Sequence, residues 1–158
     1  MADKEKGSSM DLLQLVSFNI GNEEFAVDIL KVQEINRMAE ITRVPKSPPF
    51  VEGVINLRGK VIPIVDLRKR FNLEERKTTK ETRIIVVDMD GKVVGLIVDA
   101  VSEVLRLPAD TIEPPPPIVA GIEAEYIKGV GKLDDRLLIL LDLNKIFSTE
   151  ERKLLTKA

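Results

Sequence analysis

The sequence predicts an all-β fold of two small barrels packed side by side, with short helices and one helix at the C-terminus. Three observations carry that expectation. Apolar residues make up 44% of the 158-residue chain, yet the aromatics are five Phe and one Tyr. Branched Val and Ile must therefore fill the interior, and these side chains favour strands. Apolar runs of strand length recur around tight-turn dipeptides. One stretch is also written twice: shifting the sequence by 76 positions lays residues 51–71 on 127–147 without a gap. Gly53 then meets Gly129, Val54 meets Val130, Leu57 meets Leu133, Asp66 meets Asp142 and Phe71 meets Phe147.

Taken in order, residues 1–11 are polar, charged and Gly/Ser-bearing, the composition of a disordered tail. "LQLVSFNI" is apolar at both strand periods, so its strand is expected to be buried on both faces. Gly21-Asn22 turns it into "FAVDIL", and a short turn then leads to a strand over Val32 to Ile35. In "VPKSPPFVEG", Ser47 is expected to cap a single helical turn that Gly53 ends. "GVINL" and "KVIPIV" form a hairpin tipped by Arg58-Gly59, and Pro63, which lacks a ladder donor, places its strand at an edge or a bulge. Asp66 opens the short helix "DLRKRF". Asp90-Gly91 marks the clearest hairpin of the chain, and Asp134-Asp135 marks another. Four prolines stiffen the loop before residue 118. Ser148 and Glu151 make a capping box for a last helix, with Leu154 and Leu155 placed to dock it.

Two copies are too few for a solenoid, so the repeat implies two small barrels within one domain over 12–158. The expected lobes are about 12–80 and 81–147, with the C-terminal helix at 148–158 and the first strand crossing to complete the other lobe. The repeat also separates framework from turn. Asn56-Leu57-Arg58-Gly59 in the first copy stands where Lys132-Leu133-Asp134-Asp135 stands in the second. Leu57, Val61, Ile62 and Ile64 belong to folding, whereas Arg58 sits at a loop tip, where recognition concentrates. Glu34 is placed to orient it.

A net charge of −2 argues against nucleic-acid binding, which needs a basic excess. Without Cys there are no disulfides, thiolate nucleophiles or zinc-thiolate sites, and without His the commonest acid–base group and metal ligand is missing. No apolar run approaches a membrane span. The expectation is a soluble, cytoplasmic chain without metal or cofactor. Asp28, Asp66, Asp99 and Asp142 each follow an apolar run, but they recur with the repeat, as caps and strand ends do. A carboxylate enzyme built on Asp66 and Asp142 is the remaining catalytic reading.

The blocks "FAVDILKVQEI", "FVEGVINLRGKVIPIVDLRKRF", "VVGLIVDAVSEVL" and "EYIKGVGKLDDRLLIL" occur in the order found in the CheW family. From about Leu13 to Lys153 the chain resembles these coupling proteins of bacterial chemotaxis. The resemblance implies two SH3-like five-stranded barrels and a non-catalytic adaptor. Such an adaptor joins the regulatory domain of the histidine kinase CheA to the cytoplasmic tips of methyl-accepting receptors, in arrays at the inner face of the membrane, with other CheW copies closing rings. It implies receptor contacts at Val32, Glu34, Gly53, Arg58, Arg83 and Ile84. For the kinase it implies an apolar edge offering Val16, Val27 and Leu30, with a second contact near Glu113 and Ile118, where family members often carry a basic residue and an aromatic. A copy of the same fold serving a motility or developmental pathway is the alternative within the family.

Overall fold

The computed structural model describes residues 11–74, 77–119 and 121–157; the tail expected at 1–11 lies outside them except for Asp11. The chain begins with β1 (Leu12–Ile20) and β2 (Glu23–Asp28), and a 3-10 turn (Ile29–Lys31) leads into β3 (Val32–Arg37). There follow β4 (Val51–Leu57), β5 (Lys60–Asp66), helix α1 (Leu67–Arg70), β6 (Arg83–Met89) and β7 (Lys92–Val98). The second half holds β8 (Ala100–Pro108), the short strands β9 (Ile112–Glu113), β10 (Ile118–Val119) and β11 (Ile122–Glu123), then β12 (Ile127–Leu133), β13 (Arg136–Leu141) and helix α2 (Thr149–Lys157).

These strands build two lobes. One sheet runs β3-β6-β7-β5-β4, the other β8-β1-β2-β13-β12-β9. The two copies of the repeat make matching backbone contacts. Backbone pairing joins Thr42 to Val54 in one lobe and Glu113 to Val130 in the other. Each pairing brings the chain that follows an edge strand back onto the opposite edge, closing the sheet into a small barrel. Asp66 N–H donates to Phe50 O at 2.9 Å, and Asp142 N–H to Tyr126 O at 3.0 Å, again at matching positions.

The grouping of strands corrects the boundaries at 80 and 81. Not one strand but the whole β1–β2 hairpin crosses over, β2 pairing in parallel with β13. In return β6–β7 crosses the other way, β7 pairing in parallel with β5. The repeats exchange their first hairpins, so lobe one is built from 32–98 and lobe two from 12–28 with 100–141. The crossings are short, residues Ile29–Lys31 at one and Asp99 alone at the other.

Apolar side chains on both faces of the exchanged strands explain this arrangement. Val16, Phe18, Phe25 and Val27 face Ile85, Val87, Leu96 and Val98 in one core shared by the lobes. On the opposite faces, Leu15, Ala26, Leu138 and Leu140 fill the interior of lobe two. Ile55, Ile62, Ile64, Ile84 and Val86 fill lobe one. Arg70 closes the shared core at one end: its guanidinium lies 4.9 Å from the Tyr126 ring centre and 5.3 Å from that of Phe50. Its Nε donates to Ile146 O at 2.7 Å. Aromatic faces attract a cation held in this way.

Several local expectations hold. Arg58 and Gly59, with φ of 52° and 86°, form the tight turn of β4–β5, and Asp90 and Gly91 do the same for β6–β7. Ser148 N–H donates to Glu151 Oε1 at 2.8 Å and Glu151 N–H to Ser148 Oγ at 3.1 Å, the reciprocal box that opens α2. Leu155 docks that helix and is buried, while the side chain of Leu154 lies outside the described residues.

Others fail for physical reasons. A single turn does follow Ser47, closed by Val51 N–H on Pro48 O at 3.0 Å, but Ser47 does not cap it: its hydroxyl donates back to Val44 O at 2.8 Å. Gly53 does not end a helix; it sits inside β4, where a Cβ would lie 2.1 Å from Thr42 O. Pro63 is not on an edge strand, because β5 lies between β7 and β4. The ladder to β7 starts only at Ile64, so the missing donor is tolerated beyond its end. The strand β8 was not anticipated: its outer residues are polar and it lacks a strong apolar run.

Gly53→Ala should therefore cost about 3 kcal/mol, from the clash and the φ of 147° together. Gly59→Ala, which meets no atom within 4 Å, should cost about 1 kcal/mol. Urea denaturation of the two variants checks that order.

Candidate functional site

In lobe one the edge strand β3 and the β4–β5 turn meet at the barrel seam. Glu34 lies on β3, and Arg58 sits at the first position of the turn. Nη2 of Arg58 donates to Glu34 Oε2 in a close ion pair. The turn is held by Gly59 N–H donating to Asn56 Oδ1 at 2.9 Å. The first turn position requires a positive φ, which Asn and Asp tolerate best. The hairpins at Asp90 and Asp134 follow that preference, with φ of 57° and 52°. Arg58 does not, and its side chain is 71% exposed. An arginine held in a strained conformation at a solvent-facing tip adds nothing to a core. It marks a place where orientation matters more than stability.

The Arg58 hydrogen bond holds the Glu34 carboxyl below the usual carboxylate range, and Glu34 in turn pushes the Arg58 guanidinium further up. A carboxylate lowered on folding contributes above its ordinary pKa and loses that contribution only as pH falls through the lowered value. The seam pair therefore stays ionised throughout the neutral range.

The other expected contact residues are distributed unevenly. Val32 is half-buried against the shared core. Arg83 is half-exposed at the start of β6, its Nη1 donating to Lys80 O at 2.8 Å and Thr82 O at 2.9 Å. Ile84 is fully buried in the interior of lobe one, and Gly53 is buried beneath Thr42. Neither offers a side chain to a partner.

The apolar edge expected at Val16, Val27 and Leu30 is also corrected. Both β1 and β2 have a neighbouring strand on each side, and Val16 and Val27 are sealed in the shared core. Only Leu30, 87% exposed on the crossing turn, stands out into solvent. Glu113 is exposed on β9, its Oε1 3.9 Å from Lys132 Nζ. Ile118 on β10 is 64% exposed.

The aspartates are occupied by the backbone. Oδ1 of Asp28 accepts from Leu30 N–H at 2.9 Å, that of Asp66 from Arg68 N–H at 2.9 Å, and that of Asp142 from Asn144 N–H at 3.0 Å. Burial pushes the Asp66 carboxyl up against that hydrogen bond. Asp66 and Asp142 are thus equivalent caps in two lobes. Among the described residues no group of three or more acidic side chains could hold a metal ion.

One partly buried ion pair was not anticipated. Arg68, 7% exposed, donates through Nε to Asp99 Oδ1 at 3.0 Å, and its Nη2 pairs with Asp99 Oδ2. Asp99 Oδ2 also accepts from Gly21 N–H at 2.7 Å, and Arg68 Nη1 donates to Glu74 O at 2.6 Å. The pair fastens α1 to the β7–β8 crossing and to the β1–β2 turn. Only the sheet pairing brings these positions together; in the sequence Arg68 is one of three consecutive basic residues.

Two fused β-barrel lobes with a charged pair at a rim and carboxylates engaged as caps define a two-lobed β-barrel binding module. The CheW-like domain model matches residues 14–151, and the chain belongs to that family. It is 43% identical to a chemotaxis protein CheW of Klebsiella aerogenes over 141 residues, 89% of this chain and 85% of the relative. It is 41% identical to a probable chemotaxis protein CheW of Rhizobium etli over 138 residues, covering 87% of this chain and 89% of that one. The crystal structure of the scaffolding protein TtCheW from Thermoanaerobacter tengcongensis superposes with a TM-score of 0.82 at 40% identity, covering 89% and 91% of the two chains.

Two results are expected. In an NMR pH titration the Glu34 carboxyl should titrate below the ordinary value of about 4.3 and return to it in Arg58→Ala. Asp99→Ala, which strips the nearly buried Arg68 of its counter-charge, should cost about 3 kcal/mol in denaturant unfolding.

Proposed function

We propose that this chain is a non-catalytic adaptor that couples methyl-accepting chemotaxis receptors to a CheA-type histidine kinase in signalling arrays. The observation that carries this reading is the continuous match, over nearly the whole chain, to proteins named for chemotaxis and scaffolding. The receptor tip helix docks at the lobe-one rim. Arg58, oriented by Glu34, supplies charge and register there, with Val32 and Arg83 beside it. Gly53 and Ile84 act from beneath, fixing the strands that carry those side chains. Charged groups in this role set specificity and orientation more than affinity.

On the kinase side Leu30 is the anchor that enters the regulatory domain, while Val16 and Val27 hold the hairpin from which the crossing turn projects. A few buried apolar anchors carry most of the energy of such interfaces. Glu113 and Ile118 on lobe two form a second kinase contact, or one to a further copy of the family in a ring. The protein works in the cytoplasm at the inner face of the membrane, with no nucleic-acid partner. No helix among the described residues is long and apolar enough to cross a membrane.

The test is binding to a receptor cytoplasmic fragment and to the CheA regulatory domain from the same cell. Arg58→Glu should weaken the receptor fragment at least tenfold, and Leu30→Glu should weaken the kinase domain by about thirtyfold. Both variants should melt within a degree or two of wild type. Wild-type affinity in both variants, or no binding of either partner by the unaltered chain, would overturn the reading.

A further inference from the structure

The β3–β6 ladder sets Arg37 directly opposite Arg83. Like charges at directly opposed positions destabilise a sheet pair, and neither arginine has an ion-pair partner among the described residues. Lys80, exposed and also without such a partner, stands on the turn that enters β6. That turn is rigidly framed. Thr79 N–H donates to Thr82 Oγ1 at 2.9 Å, and Glu81 N–H donates to Thr79 Oγ1 at 3.1 Å. Two carbonyls on it hold Arg83 Nη1, and the rest of that guanidinium has no hydrogen-bond acceptor among the described residues. Together these residues line an open cleft of about 530 Å³. Its single carboxylate, Glu81, lies 3.5 Å from Thr79 Oγ1 and pairs with none of the three cations.

The surroundings narrow the ligand. Ile35 is two residues before Arg37, on the same face of β3, and is 41% exposed. An exposed apolar side chain therefore stands on β3 beside the cationic cleft, outside its lining. Three cations on a chain of net charge −2 are too few for stable attachment to an anionic membrane, which takes clusters of about 4–8 basic residues. No aromatic lines the cleft to stack a base.

We propose that the cleft framed by Arg37, Lys80 and Arg83 receives an acidic segment of a protein partner, one carboxylate bridging the two guanidinium groups while an apolar neighbour covers Ile35. Planar guanidinium groups bind carboxylates in paired hydrogen bonds, and an incoming carboxylate would turn the repulsion into an attraction. The inference deepens the receptor-docking reading at Arg83, on which it rests for the source of the segment.

The experiment is titration of the full chain with a glutamate-rich peptide carrying one leucine, followed by NMR and repeated with the double variant Arg37→Gln/Arg83→Gln. Because the variant loses a like-charge contact, it should melt at or above the wild-type temperature. Peptide binding should be at least tenfold weaker in the variant and should fade with added salt. Equal binding by both proteins, or preference for phosphatidylserine vesicles over the peptide, would overturn the inference. A receptor fragment that loses affinity in Arg58→Glu but keeps it in the double variant overturns the inference and leaves the adaptor reading in place. Peptide binding lost in the double variant, from a chain that binds no receptor fragment, supports the inference and removes the adaptor reading.

Discussion

Phe18 and Phe25 from one sheet meet Ile85 and Leu96 from the other in a single apolar layer. The opposite faces of the same strands fill two smaller interiors through Ala26, Ile84 and their neighbours. A strand that is apolar on both faces cannot border water on either, so it must lie between two packed bodies. The exchanged hairpins satisfy that constraint, since each supplies one face to a barrel interior and the other to the junction. The rest of the molecule follows from it. The lobes cannot separate without exposing the largest core, the rim at the seam is held at a fixed place, and the side chains left in contact with solvent lie mostly on turns and edges.

The exchange also explains the partly buried charge. Where the chain passes from β7 to β8 only Asp99 is available, and it accepts from Arg68 on α1 and from the β1–β2 turn at once. A charge at so short a crossing is costly unless its lone pairs are used, and here they are. Arg70, two residues along the same helix, answers at the other end by lying between rings from both copies of the repeat. Three successive basic residues thus divide their roles. Arg68 and Arg70 turn inward to the structure, and Lys69 reaches outward to Glu52 at 2.6 Å.

Much of this was legible in the sequence because it was local or periodic. The hairpins at Arg58-Gly59 and Asp90-Gly91, the Asp66 cap and the Ser148–Glu151 box depend on neighbours a few residues away, and all formed as expected. The 76-residue offset carried further, down to equivalent hydrogen bonds at Asp66 and Asp142. What failed depended on which strand lies beside which. The double apolar period of β1 rightly places it between two packed bodies, whereas the exposed edge that the family resemblance implies at Val16 and Val27 is interior, because a resemblance does not say which strands flank a run. The repeat revealed a duplication but not that its copies trade hairpins, and the lobe boundaries were misplaced for that reason. The opposed Arg37 and Arg83 were beyond reach, because strand register is settled by the whole sheet and not by either segment.

The parallel ladder between β2 and β13 has a consequence for synthesis. Phe18 and Phe25 leave the ribosome roughly a hundred residues before Leu138 and Ile139, which their hairpin needs as partners. Strands β3 to β7 are contiguous and can complete their own sheet while β8 to β13 are still being made. The β1–β2 hairpin is thus made well before β13, and the face it turns to the interior of lobe two waits for that strand, while its other face can already pack on β6 and β7. Vectorial synthesis fixes an order of assembly that differs from the order of the sequence.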